Sequence, residues 1–200
     1  MRQLPLAAAL LALIPALAAC GSTRDESADP QSAFLVELAA LEGRAYAGRV
    51  LADEPAQAAN PFAGQTLVMH VRRVEPDRLE IPFHVGADRS RTWVITRTPQ
   101  GLRLKHDHRH ADGSEDELTQ YGGDTADRGS ARRQEFPVDA YSRALFERTQ
   151  RSVSTTNVWA MEIEPGRSFV YELARKGRMF RVEFDLTQPI PPPPAPWGHE

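Results

Sequence analysis

One cysteine in 200 residues, Cys20, excludes a disulfide framework within the chain. No stretch after residue 19 is long and apolar enough for a helix to cross a bilayer. The formal net charge is only −3, which argues against nucleic acid as a partner and against a strongly acidic tail. No segment repeats another. Signatures of catalysis are scarce as well. Ser90, Ser114 and Ser130 fall in loop-like stretches, and none sits in a Gly-x-Ser-x-Gly setting. The carboxylates are plentiful, yet no pair is set apart by its spacing from a solvated surface.

What is present begins with a leader. Arg2 is followed by an apolar run from Leu4 to Ala19, broken only by Pro5 and Pro15, which is the form of a secretory signal over residues 1–19. Leu17-Ala18-Ala19-Cys20-Gly21 resembles the lipobox of bacterial lipoproteins. That resemblance implies cleavage before Cys20 and acylation of its thiol and new amino terminus. Gly21 in place of aspartate implies, by the same resemblance, the outer membrane, with the protein facing the periplasm. The lone cysteine fits a thiol reserved for lipid. Residues 20–32 are small, charged and polar and read as a tether carrying that lipid. Residues 33–188 are long enough for one domain with a sizeable core. Residues 189–200 form a proline-dense tail, expected neither to pair in a sheet nor to continue a helix.

The domain reads as mainly β. Turn signals recur: Glu75-Pro76-Asp77-Arg78, Thr98-Pro99-Gln100-Gly101, Glu164-Pro165-Gly166-Arg167 and Arg175-Lys176-Gly177-Arg178. Between them the polarity alternates with period two. Leu79, Ile81, Phe83 and Val85 share one face; so do Phe169, Tyr171 and Leu173, and Phe180, Val182, Phe184 and Leu186. This patterning predicts strands near 44–52, 65–75, 78–85, 91–98, 101–110, 115–121, 131–136, 154–164, 167–175 and 178–186. Helices are predicted near 31–42, with the stripe Phe34, Leu35, Leu38, Leu41 and a Gly43 stop, and near 138–150, with Tyr141, Leu145 and Phe146 as its apolar side. Strands joined by tight hairpins predict a single antiparallel up-and-down barrel of about 8–10 strands. A two-sheet β-sandwich is the alternative. Charged outward residues mark it as a barrel facing water rather than a lipid-exposed pore.

Leu41-Glu42-Gly43-Arg44-Ala45-Tyr46-Ala47-Gly48, after a short helix, resembles the opening of calycin-type barrels: lipocalins, fatty-acid-binding proteins and nitrobindins. Those carry Gly-x-Trp where this chain has Gly-x-Ala-Tyr. The resemblance implies a barrel that binds a small ligand. The stretches HVGADRSRTWVI, GLRLKHDHRHADGSEDELTQYGGDT and NVWAMEIE resemble a family of bacterial secreted proteins without an assigned function, which brings no activity with it.

The segment KHDHRHADG places three of the six histidines at alternate positions. His106, His108 and His110 share parity with Leu102 and Leu104, so without a bulge all three continue the inward face toward the barrel mouth. Three readings stand. The first is a metal site, zinc or copper, on His106, His108 and His110 with Asp112; a zinc hydrolase or lyase would follow from an open ligand position, although nothing names a base. Neighbours at i and i+2 lie about 6.6 Å apart, but His106 and His110 lie about 13 Å apart on an extended strand, so a third ligand from elsewhere fits better. His84, His70, Asp116 and Asp124 are the candidates. The second reading is a pocket for a polar or anionic ligand rimmed by these histidines, Arg91, Tyr121 and Trp93. In the third, the histidines hydrogen-bond to Asp107, Asp112, Asp124 or backbone and finish the barrel end. Tyr121-Gly122-Gly123-Asp124 is read as a bent loop or as a place where backbone approaches a ligand. Trp93 and Trp159 share parity with apolar neighbours and belong to the core. The overall expectation is a lipid-anchored protein that binds a small molecule or envelope component. Its rivals are a metalloprotein and an assembly protein that works through its surface.

Overall fold

Period-two segments punctuated by proline and glycine turns have one way to bury their apolar sides, which is to wrap a sheet around them. The computed structural model describes residues 29–57 and 60–199; the leader, Cys20 and most of the tether lie outside them. The strands are β1 (Ala45–Glu54), β2 (Leu67–His70), β3 (Arg73–Glu75), β4 (Arg78–Val85), β5 (Asp88–Thr98), β6 (Gly101–His108), β7 (Tyr121–Asp124), β8 (Arg133–Pro137), β9 (Val158–Glu164), β10 (Ser168–Arg175) and β11 (Arg178–Ile190). Two helices, α1 (Pro30–Ala39) and α2 (Ala140–Arg148), and a 3₁₀ turn at Ser152–Thr156 complete the set. The pairings are antiparallel and follow the order β7-β6-β5-β4-β2-β1-β11-β10-β9-β8, with β3 on β4. One continuous sheet with its ends meeting is a nearly closed barrel, compatible with the calycin type, and not two stacked sheets.

The ends of that path meet at glycines. A bridge joins Gly123 to Val138, and the Asp139 amide donates to Gly122 O at 3.0 Å. A methyl group on Gly123 would lie 1.7 Å from Pro137 O, and one on Gly122 1.9 Å from Leu104 O. Backbone does approach closely at Gly122-Gly123, but what approaches is the barrel's own backbone. Ser142 helps hold the seam, its hydroxyl accepting from Gly122 N–H and donating to Gly122 O.

Helix α1 closes one end. Asp29 caps it, accepting from Ser32 N–H at 3.0 Å. Phe34 and Leu38 are fully buried in the core, each worth about 1.5–3 kcal/mol of transfer free energy. Gln31 ties the helix to the loop beyond β7 through Thr125 and the Asp127 carbonyl. The helix therefore begins inside the segment expected to be tether. The turns β3–β4 and β5–β6 lie at this end. Asp88, His108 and Tyr121, at the opposite ends of β5, β6 and β7, mark the other end, called here the mouth.

Several boundaries differ from expectation. The segment 65–75 splits into β2 and β3 because Val71 turns aside, donating to Arg44 O and accepting from Gly43 N–H. No continuous strand spans 115–121: His108 to Asp116 forms a tight return, with His110 N–H bonding to Ser114 O, and β7 starts only at Tyr121. Residues 154–156 are 3₁₀, not strand. Tyr141 is 48 % exposed and belongs to the outer side of α2, over the Lys105 ammonium.

The tail shows the largest difference. Pro189 and Ile190 lie opposite Tyr46 and Ala45 within β11, so the sheet does accept this proline. A proline lacks only the N–H, and it still supplies a carbonyl and extended geometry at a strand end. Beyond it the chain runs back along the outer wall. Trp197 N–H donates to Arg89 O, Arg89 Nη1 donates to Ala195 O, and His199 Nε2 lies 2.8 Å from Asp107 Oδ2.

Because Gly123 has no room beside Pro137 O, Gly123→Ala is expected to cost about 3 kcal/mol, a drop of about 6–12 °C in thermal midpoint by circular dichroism. Gly166→Ala, at a turn with open space around the missing Cβ and φ of +67°, should cost only about 1 kcal/mol. Equal losses would remove the seam from its special place.

Candidate functional site

Strand β6 explains the alternating histidines up to His108. Its pairing with β5 runs unbroken from Arg91 opposite His108 to Thr98 opposite Gly101, so no bulge resets the faces. Leu102, Leu104 and His106 are buried inward and His108 follows them at the mouth. His110 does not. The strand has ended, the chain has turned, and His110 is exposed with Nδ1 4.0 Å from Asp116. Asp112 is a turn residue, its carboxylate accepting from Ser114 N–H and Oγ.

His106 is fully committed to the core. Its Nδ1 lies 3.1 Å from Tyr121 O and its Nε2 2.8 Å from Tyr171 Oη. A carbonyl only accepts, so Nδ1 must carry the proton, and Nε2 accepts from the Tyr171 hydroxyl. Burial pushes its pKa down to about 3, with His108 adding to the effect, so the ring is neutral in the folded protein. Its faces are covered too: Tyr121 stacks at 4.5 Å, and Trp159 and Tyr171 sit at 5.2 and 5.8 Å. Tyr171 stacks in turn on Trp93 and Trp93 on Phe83, so rings fill the middle of the barrel. Burial, and next the nearby Tyr121, raise the Tyr171 pKa well above its usual value. The buried Trp159 indole N–H has no hydrogen-bond partner among the described residues.

This geometry does not assemble the expected metal set. A zinc or copper ion would need an imidazole lone pair, and both His106 nitrogens are engaged. His110 and Asp112 lie in the turn outside the barrel. Among the described residues no group of three or more His, Cys, Asp or Glu side chains is arranged to hold an ion. The proposed extra ligands are elsewhere. His84 is buried on the outer side of β4, Asp124 pairs with Arg103 at 2.6 Å, and Asp116 accepts from Leu118 N–H. His70 is buried on β2, two residues along from Val68, which lies opposite His84, so it shares that outer side.

The mouth holds the remaining polar candidates. His108 Nε2 lies 3.2 Å from Tyr121 Oη, bringing together two residues singled out from sequence. Arg91, opposite His108 in register, donates to Asp88 at 2.5 Å and lies 5.8 Å over the Phe62 ring. Burial, and then the Arg91 charge, lower the His108 pKa to about 4. Burial raises the Tyr121 pKa to about 12, with Arg91, Asp116 and Arg151 also acting on it. The mouth therefore presents a cation with a paired carboxylate, a neutral imidazole and a protonated phenol.

Two participants were not singled out, Tyr171 and the tail. Tyr171 had been placed on an apolar face, and its hydroxyl needed a buried acceptor, which was a usable signal. Asp107, expected as a partner of the strand histidines, lies on the outward parity, is 4 % exposed and ion-pairs instead with Arg109 and His199. Trp197 in the tail was the signal there, since a tryptophan gains by packing rather than trailing in water.

His106, His108 and His84 all have pKa values below the usual 6.5, to about 3, 4 and 4. The unfolded chain therefore binds more protons below 6.5, and stability present above that pH is lost as pH falls toward these values. Thermal midpoints should decline between about pH 6.5 and 4.5, before carboxylates titrate, and the decline should be shallower in His108→Gln, with His106 and His84 supplying what remains. A flat profile in the wild type would contradict the burial described. Comparison with protein-family models, with curated proteins and with solved structures finds no match for this chain.

Proposed function

We propose that this is a lipid-anchored protein of the bacterial cell envelope, held at the periplasmic face of the outer membrane through Cys20, which binds a small polar or anionic ligand at the barrel mouth. The anchor half of this reading rests on Leu17-Ala18-Ala19-Cys20-Gly21 and its resemblance to a lipobox. The binding half rests on one observation: Arg91, His108 and Tyr121 converge at the one end of a barrel whose middle is otherwise filled with rings. A bidentate guanidinium that exchanges Asp88 for a ligand carboxylate or phosphate is suited to anions, and a neutral His and a Tyr hydroxyl add directional bonds. The aromatic filling leaves a mouth-sized ligand in favour over a long lipid chain within the barrel.

A second reading is supported by the outer wall. A cleft of about 730 Å³ lies on the outside of β1, β10 and β11, lined by Arg49, Glu164, Arg167, Glu183 and Asp185 among others. A protein that assembles with envelope partners through its surface would use such a charged face and leave the mouth unoccupied.

Two measurements test these readings. The intact mass of the full chain, expressed in a bacterium that processes lipoproteins, should correspond to loss of residues 1–19 plus acyl groups, and Cys20→Ala should abolish membrane retention. Nuclear magnetic resonance of the His108 and Tyr121 rings, with inorganic phosphate and acetate as probes, should show saturable shifts that weaken about tenfold in Arg91→Ala, the loss of one charge-assisted bond. Resonances that ignore both probes would favour the outer-wall reading.

A further inference from the structure

The groove beside α1 is apolar and sits where the anchor must attach. Leu35, Val36, Ala39, Val74, Pro76 and Leu79 line a cleft of about 350 Å³ between α1 and the β3–β4 turn. Val36 is 66 % exposed, an unusual place for a β-branched apolar side chain in the middle of a helix. The charged groups around it are largely matched: Arg128 with Asp29, Arg97 between Asp29 and Asp77, and Arg73 with Glu75. The face therefore offers apolar contact rather than a field of one sign.

The length of the preceding chain decides what this face meets. Asp29, the N-cap of α1, lies only nine positions after Cys20. By polymer statistics a chain of that length reaches about 17 Å on average. The barrel, with strands of about 27–37 Å tilted by about 40°, stands roughly 20–28 Å tall. A lipid carried on Cys20 thus holds the α1 end closer to the bilayer than the mouth.

We infer that the α1 end docks on the phospholipid surface, with Val36 and the groove beside it seated in the interfacial zone and the mouth turned toward the periplasm. The inference rests on the acylation of Cys20 proposed above. It gives the barrel a fixed orientation, in which the Arg91–His108–Tyr121 end is presented away from the membrane that anchors it. Because the surrounding charges pair, docking is expected on zwitterionic phosphatidylcholine and is not expected to require anionic lipid.

The full, processed chain supports a direct test, because its one cysteine is occupied by lipid. Val36→Cys then supplies a single free thiol, and Val153→Cys supplies another in the 3₁₀ turn near the mouth, where the native valine is 65 % exposed. Each is labelled with an environment-sensitive fluorophore and reconstituted in phosphatidylcholine vesicles. The label at 36 is expected to shift to the blue, to be quenched by nitroxide on the lipid and to be shielded from aqueous iodide; the label at 153 is expected to behave as in water. Acylated Cys20 with an aqueous label at 36, or with the membrane signal at 153 instead, overturns the orientation while leaving the anchor in place. An intact mass showing unmodified Cys20 overturns the anchor and the orientation together.

Discussion

The contact on which the structure depends is the seam between β7 and the end of β8. A meander of antiparallel strands has two edges, and each edge is a row of unpaired donors and acceptors until something meets it. Here the edges meet each other through Gly123 and Val138, with Asp139 N–H on Gly122 O. The approach is so close that Gly123 leaves no space for a β-carbon beside Pro137 O, while Gly122 is crowded from the other side by Leu104 O of β6. Seam closure fixes the circumference, and the circumference fixes how much can fit inside. Tyr121 adjoins the two glycines, so the seam also sets where its ring lies and, through its carbonyl, which nitrogen of His106 is protonated.

A nearly closed barrel of this girth is filled by side chains rather than left hollow. The filling is graded. Phenylalanine and tryptophan rings occupy the middle, Tyr171 and His106 satisfy one another within it, and His108, Tyr121 and Arg91 stand toward the mouth. Burial is also what sets the protonation states. The same loss of water that keeps both histidines neutral keeps both tyrosines protonated. In the ring-filled middle, neutrality lets the polar groups pair without a buried charge. At the mouth, the Arg91 guanidinium has the Asp88 carboxylate beside it.

The main features of the fold were legible from sequence. The alternation in 79–85 and 180–186 and the turns at Pro165-Gly166 and Lys176-Gly177 led to the right strands and the right class, because period and turn chemistry act locally. The inward parity of His106 and His108 followed from the same rule. It failed at His110 because a parity argument holds only while the strand lasts, and where a strand ends depends on partners distant in the chain. The strand predicted at 115–121 was lost for that reason, since the return after His108 used its backbone bonds locally. The tail was misread for a different reason. Proline counts against a ladder donor, but the tail attaches to the wall through carbonyls, a tryptophan amide and a histidine, none of which needs a proline N–H. Tyr171 was placed correctly but not recognised as a partner, since no sequence spacing connects it to a residue 65 positions away.

The two parities of KHDHRH do different work on the two sides of one sheet. Inward, His106 and His108 carry polarity from the core to the mouth. Outward, Asp107 receives His199 and Arg109, while Arg109 also reaches Gly113 O and lies against Gly198. The return turn, the tail and the mouth are thus fastened to the same eight residues of β6. A histidine at 107 would lose the buried carboxylate that holds the tail, and an aspartate at 106 would put an unpaired charge among rings, so the alternation is what each face demands. The same arrangement couples the mouth to the outer wall: a change that shifts β6 along its length must move His108 and the anchorage of the tail together, because no bulge lies between them to absorb it.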